Sequence, residues 1–330
     1  MQKCLVNNMI KNQMEVNFMK KKILLISLTL LMCFGLTGCK STDYNDAIKL
    51  EEAKDYSSAA TIYEELGEYK DSKEHLEYCN NMIDVIEKYN VARTAAEKKN
   101  AELDNAISVA ETLILKNEPA LDETLIPVLE TAISEAKAAK QSIPEMPETE
   151  NEIISVNNAL NGIDYSDVLS NLSGKQSALE RSIKQYALVN APTEAYIIEC
   201  LKKVPNIIDI SAVTEDNDPN GHLNKAGGYT AQVYFSSDLL NQDEIDGITV
   251  IDKGTDCGGS IEVYSTAEEA NARNDYLASF DGGIFASGSH TVVGTVLVRT
   301  SDKLTASQQK EMEANIIEVL IEIIDQEIRK

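Results

Sequence analysis

The chain predicts a multi-domain protein: an all-α N-terminal part, made of a repeat-like module and a helical bundle, followed by a C-terminal α+β domain with a mainly antiparallel sheet. Three observations predict this. From Ser41 to Leu188 the apolar residues recur at helical spacing, as in Leu103, Ile107, Ala110 and Ile114. Beyond Asn190 the pattern changes to alternation and glycine, with Tyr229, Ala231, Val233 and Phe235 facing one way. Between the two regimes stands Asn190-Ala191-Pro192-Thr193, which puts the boundary at residue 192.

Residues 1–18 are polar and contribute nothing to a signal; they read as an upstream start-site extension. Residues 19–38 have the three regions of a secretory signal. Lys20, Lys21 and Lys22 precede an apolar run from Ile23 to Leu36, and small residues close it at Thr37 and Gly38. That run is too short to serve comfortably as a permanent membrane span. The ending Leu36-Thr37-Gly38-Cys39 resembles the lipobox of bacterial lipoproteins. The resemblance implies cleavage before Cys39, a diacylglycerol on its thiol and an acyl group such as palmitate on the new amino end. Cys39 is then a lipidation site, the partner is the membrane through those acyl chains, and the location is the cell membrane, facing outside the cytoplasm. The alternative is an uncleaved membrane helix, or a core helix carrying a chance cysteine.

Composition limits the remaining functions. The chain has 30 basic and 54 acidic side chains; removal of the first 38 residues takes five lysines and one glutamate and leaves a formal charge of −28. Such a surface repels nucleic acid, so no nucleic-acid partner is expected, and it repels anionic lipid. Attachment therefore falls to the acyl group. With no tryptophan and five phenylalanines, a large aromatic-lined sugar site is disfavoured. Besides Cys39 the processed chain keeps Cys79, Cys200 and Cys257, an odd set that is no disulfide framework. Cys200 and Cys257 could pair in an oxidising compartment; otherwise all three are small buried hydrophobes.

In residues 39–82, Ala47, Leu50 and Ala53 form one helical face and Ala59, Ile62, Tyr63 and Leu66 the next, with Asp55-Tyr56 at the turn. This resembles a tetratricopeptide-type helical hairpin, which implies protein contact in general and no chemistry. Tyr69-Lys70-Asp71-Ser72 opens another helix carrying Leu76, Cys79 and Met82. Residues 83–191 read as an antiparallel bundle or spacer. Its helices run through Ile86 to Leu115, from about Leu121 to Gln141 with Pro127 in the opening turns, and from Ser166 to Leu188. An extended coiled-coil stalk is the alternative, weakened by the proline breaks.

Residues 192–330 predict strands at Ile207–Val213, Tyr229–Phe235, Ser260–Tyr264 and Thr291–Arg299. Helices follow Thr266 and Thr305, each with a glutamate or glutamine three residues on. The last helix is expected to present Met312, Ile316, Val319 and Ile323. The segments Ile261-Glu262-Val263-Tyr264, Ser289-His290-Thr291-Val292-Val293-Gly294-Thr295 and Arg299-Thr300-Ser301 look like the C-terminal domain of uncharacterised lipoproteins and surface proteins of Gram-positive anaerobes. That resemblance strengthens the envelope assignment and implies no activity.

Two stretches could carry chemistry. Asp216, Asp218 and Asn220, before Gly221, match the first half of an oxygen-rich calcium loop, but its twelfth position falls on Gly227 rather than a bidentate glutamate. An Asx-type turn through Asp218-Pro219-Asn220-Gly221 explains the residues better. Cys257, flanked by Asp256 and Gly258, could act as a nucleophile if His290 lay within reach. Its glycines fit tight turns better. No phosphate loop or dinucleotide fingerprint is present, so no cofactor other than calcium is expected. For Arg273 and Arg299, structural ion pairing is the expectation. The leading function is a non-enzymatic binding or scaffold lipoprotein of the cell envelope, with an envelope protein or wall component as partner. The alternatives are a wall-active hydrolase using the Cys257 or carboxylate site, and a solute-binding lipoprotein.

Overall fold

The computed structural model describes residues 40–283 and 288–323. The signal region and Cys39 lie outside the described residues. An all-helical N-terminal region is followed by a C-terminal domain built on an antiparallel sheet. By contacts the chain forms two compact units: one takes the described residues up to Ala96 with Ile143–Gly162, the other Glu97–Ser142 with the residues from Ile163 onward.

The first unit begins with a helical hairpin, α1 (Lys40–Glu52) and α2 (Tyr56–Leu66). Its turn is set by Lys54 at φ 62° and by Asp55, whose carboxylate accepts the Ser58 N–H at 3.2 Å as an N-cap. Ala47 and Ala59 are completely buried, as is Tyr63. The long helix α3 (Ser72–Leu115) follows and contributes Cys79, Met82, Val85 and Tyr89 to this unit's core. The Tyr89 hydroxyl donates to the Pro144 carbonyl at 2.8 Å, tying down the proline-containing loop.

In the second unit, α4 (Leu125–Ala139) and α6 (Ser166–Val189) pack on one another. The later part of α3 joins α4 through the Lys137–Glu111 ion pair at 2.5 Å. Leu103, Ile107 and Ala110 on α3 are buried, as are Leu129, Ala132 and Ala136 on α4 and Leu172 and Leu179 on α6, the stripes that periodicity marks. Pro127 is the third residue of α4, where a missing N–H breaks no intrahelical bond. One helix is absent from the sequence expectation: α5 (Glu150–Asn161), in the first unit, buries Ile153 and Leu160.

The sheet has the order β1-β2-β3-β5-β4, every pair antiparallel: β1 (Ile207–Ala212), β2 (Ala231–Ser237), β3 (Gly258–Val263), β4 (His290–Val293) and β5 (Val296–Thr300). The expected single strand over 291–299 is corrected to a hairpin. Val293 pairs with Val296 across Gly294-Thr295, and Gly294 takes φ 59°, which a β-branched residue resists. On one sheet face Val233, Phe235, Ile261, Val263, Val296 and Val298 pack against α7 (Glu194–Leu201) and α10 (Ala306–Leu320). The opposite face, with Tyr234 and Leu297, is covered by α9 (Ala267–Ala278), the one-turn helix α8 (Val250–Lys253) and the 213–229 loop. Thr305 and Gln308 form the full capping box that starts α10. That helix ends at Leu320, so Ile323 does not extend its buried stripe of Met312, Ile316 and Leu320.

Candidate functional site

The nucleophile expectation depends on Cys257 meeting His290, and the sheet keeps them apart. Cys257 immediately precedes β3, whereas His290 is in the edge strand β4; β5 runs between the two. The Cys257 thiol is completely buried and lies 3.1 Å from the Gly254 carbonyl and 3.5 Å from that of Phe235. Burial pushes it up to about 11, away from the thiolate a nucleophile needs. His290 engages Asn274 Oδ1 through Nδ1 at 2.7 Å and Asp281 Oδ1 through Nε2 at 3.4 Å. Asp256 pairs instead with Lys303 at 3.3 Å. The Cys257–His290–Asp256 constellation is therefore not assembled. Gly258 and Gly259 are there for packing: a Cβ on Gly259 would stand 2.2 Å from the Arg299 carbonyl and 2.4 Å from the Phe235 ring.

Of the two readings of Cys200 and Cys257, the structure fits the unpaired one. Cys200 and Cys257 are free, buried thiols. Cys200 Sγ contacts the Val319 carbonyl at 3.5 Å beneath the end of α10, and Cys257 sits in its own ring of carbonyls. Cys79, the third free thiol, is buried on α3 and raised to about 11, chiefly by burial.

In the calcium-like loop the oxygens of Asp218 are already occupied. One accepts the Asn220 N–H at 3.0 Å and the Tyr229 hydroxyl; the other accepts the Leu223 N–H at 2.8 Å. Burial opposes the charged form, but those donors outweigh it and hold the carboxyl at about 2. The carboxylate closes an Asx turn with Asn220 and fastens the loop to Tyr229 under the sheet. Asp216 is exposed. Among the described residues, no group of three or more His, Cys, Asp or Glu side chains is arranged to hold a metal ion.

The most concentrated polar chemistry is a cluster that sequence reasoning did not assemble. Glu262, 0% exposed on β3, receives Arg299 Nη1 at 2.9 Å, Arg273 Nε at 3.2 Å and the Tyr264 hydroxyl at 2.7 Å. Antiparallel register builds it: Glu262 stands opposite Gln232 on β2 and Ser260 opposite Arg299 on β5, while Arg273 descends from α9. Gln232 passes a hydrogen bond to the Tyr234 hydroxyl at 3.0 Å. Gln232 Oε1 and Ser260 Oγ are buried without a partner. Both arginines thus make structural ion pairs, as expected, and share one carboxylate on the sheet. The arrangement neutralises and orients charge in the domain's interior; it presents no nucleophile to solvent. The visible signal was a charged residue inside each of two strands that otherwise read as apolar, Ile261-Glu262-Val263 and Leu297-Val298-Arg299-Thr300.

The first unit carries a surface groove of about 650 Å³ lined by Tyr56, Ile83, Ile86 and Val91, with Lys54 and Glu87 also contributing. His75 lies where α1, α2 and α3 meet. Its Nδ1 is 2.8 Å from Glu51 Oε2, and its ring stacks on Tyr63 with centroids 5.1 Å apart. No protein-family model, curated protein or solved structure matches this chain. Among the described residues, no helix is long and apolar enough to cross a membrane.

Proposed function

We propose that this chain is a lipid-anchored protein of the bacterial cell envelope, cleaved before Cys39, acylated there, and acting as a non-enzymatic binding or scaffold component. The observation that carries the anchoring is the run from Lys20 to Cys39, in which basic front, apolar core and small-residue exit stand in the order of a secretory signal and end on Leu36-Thr37-Gly38-Cys39, whose resemblance to a lipobox implies acylation at the cysteine. More than one acyl chain suffices for stable attachment, where a single chain binds marginally. The non-enzymatic part is supported by the best nucleophile candidate, Cys257, being enclosed among backbone carbonyls and separated from His290 by a strand. The tetratricopeptide-like hairpin supports a partner among proteins or wall components of the envelope.

The test is growth of a bacterial expression host with an alkyne-bearing palmitate analogue. The wild-type protein is expected to carry the label and sediment with membranes. Cys39→Ser is expected to lose the label and leave the membrane fraction. A wild-type protein without label, found in the cytosol, sinks the proposal. Capture of partners from detergent-solubilised membranes by the acylated protein then addresses the binding role.

A further inference from the structure

The end of the helical hairpin next to Cys39 carries a tyrosine and lysine cluster. α1 begins at Lys40, the residue after Cys39. Adjacent Cα atoms are ~3.8 Å apart, so no flexible spacer separates the acylated residue from the folded module. In the first turns of α1, Tyr44 packs edge-on against Tyr63 and Tyr69, with centroids 6.1 and 6.0 Å away, and its hydroxyl donates to Asp71. Lys70, at φ 50°, holds its ammonium 4.1 Å from the Tyr44 ring centroid and 5.5 Å from that of Tyr69. The turn joining α2 to α3 is thereby fastened beside the start of α1. Tyr69 is half-buried and Lys70 exposed.

Resting on the lipoprotein reading above, we propose that this end of the hairpin, with Tyr69, Lys70 and Lys40 at its surface, seats the acylated protein on the lipid headgroup layer. Tyrosine rings settle at a membrane interface and lysine ammonium groups reach for phosphate there. A cation already held over two rings loses little freedom on meeting a headgroup. Glu68 and Asp71 are exposed at this same end and flank Tyr69-Lys70, which confines the seat to that corner of the hairpin. A spacer-free attachment forces one end of the module against the bilayer, and this is the end the covalent geometry selects.

The acylated protein, made from the full chain and reconstituted into phosphatidylcholine vesicles, provides the test. Acylation consumes the Cys39 thiol, and Cys79, Cys200 and Cys257 are buried, so one introduced surface cysteine takes a fluorophore selectively. Glu68→Cys places it in the α2–α3 turn; Ser57→Cys places it at the other end of the hairpin, ~16 Å away along a helix of this length. Lipids spin-labelled near the headgroup are expected to quench the first several-fold more than the second, and Lys70→Glu is expected to reduce quenching at residue 68 by at least about half. Equal quenching at both sites in protein whose acyl mass is confirmed overturns the seat and leaves the anchor standing. Strong quenching at residue 68 that Lys70→Glu does not change overturns the assigned role of the cation. Quenching at 68 that appears only when a native membrane protein is co-reconstituted also overturns it, in favour of a protein receptor. Protein that lacks the acyl mass brings down both readings.

Discussion

The hairpin of the first unit and the sheet of the second each surround a glutamate with tyrosine and a basic group, yet they enclose it differently. Glu51 accepts from His75 beside Tyr63 and Tyr44, with its side chain 18% exposed. Glu262 accepts from two arginines and a tyrosine and is closed to solvent. The pairing chemistry is alike; the difference is desolvation. Water remains as a substitute partner for Glu51, whereas nothing replaces the guanidinium groups around Glu262. Removing one member should therefore be mild in the hairpin and severe in the sheet.

The largest effect expected is Glu262→Gln, which leaves Arg299 buried, and the partly exposed Arg273, beside a neutral group and should cost about 3–5 kcal/mol of unfolding free energy. Denaturant titration followed at the sheet checks it, and Arg299→Leu added to Glu262→Leu should recover part of the loss, because two charges then leave the interior together. Gly259→Ala should cost roughly 1–3 kcal/mol by the same measurement, since its Cβ overlaps the Arg299 carbonyl and the Phe235 ring.

Asp218 lies between the extremes, partly exposed and richly hydrogen-bonded. Its folded carboxyl is held at about 2, below the ordinary 3.8. The stabilisation is therefore complete above pH 4 and disappears as pH falls from about 4 to about 2. Thermal unfolding should show an acid limb that Asp218→Asn flattens, with about 1–2 kcal/mol lost at neutral pH. The smallest change expected is Glu51→Gln, under about 1 kcal/mol. A cost there equal to that of Glu262→Gln would erase the contrast between the two sites.

How far the fold could be read depended on whether its cause was local. The Thr305–Gln308 capping box and the place of Pro127 in the opening turn of α4 depend on a few neighbouring residues, and both were legible. The Val-Thr run at 291–299 concealed a hairpin because its residues favour strand throughout; only Gly294 marked the reversal. The α5 helix went unseen because asparagines dilute a stripe with just two buried positions, Ile153 and Leu160. The site was less legible than the fold. Cysteine, histidine and aspartate were correctly noticed as reactive types, but strand order decides which of them meet, and β5 inserts between β3 and β4. The Glu262–Arg299 pair spans 37 residues and exists only through register.

At the end of α6, the Val189 carbonyl accepts both the backbone N–H of Thr295, at 2.9 Å, and its hydroxyl, at 3.1 Å, while that hydroxyl also accepts from the Ala191 N–H at 2.7 Å. The peptide at 190–192, which looks in composition like a loose connector, is thus stapled to the tip of the β4–β5 hairpin. Tension applied to α6 would pass straight into the sheet and find no slack segment to absorb it. A protease seeking a soft joint there would meet a splinted one.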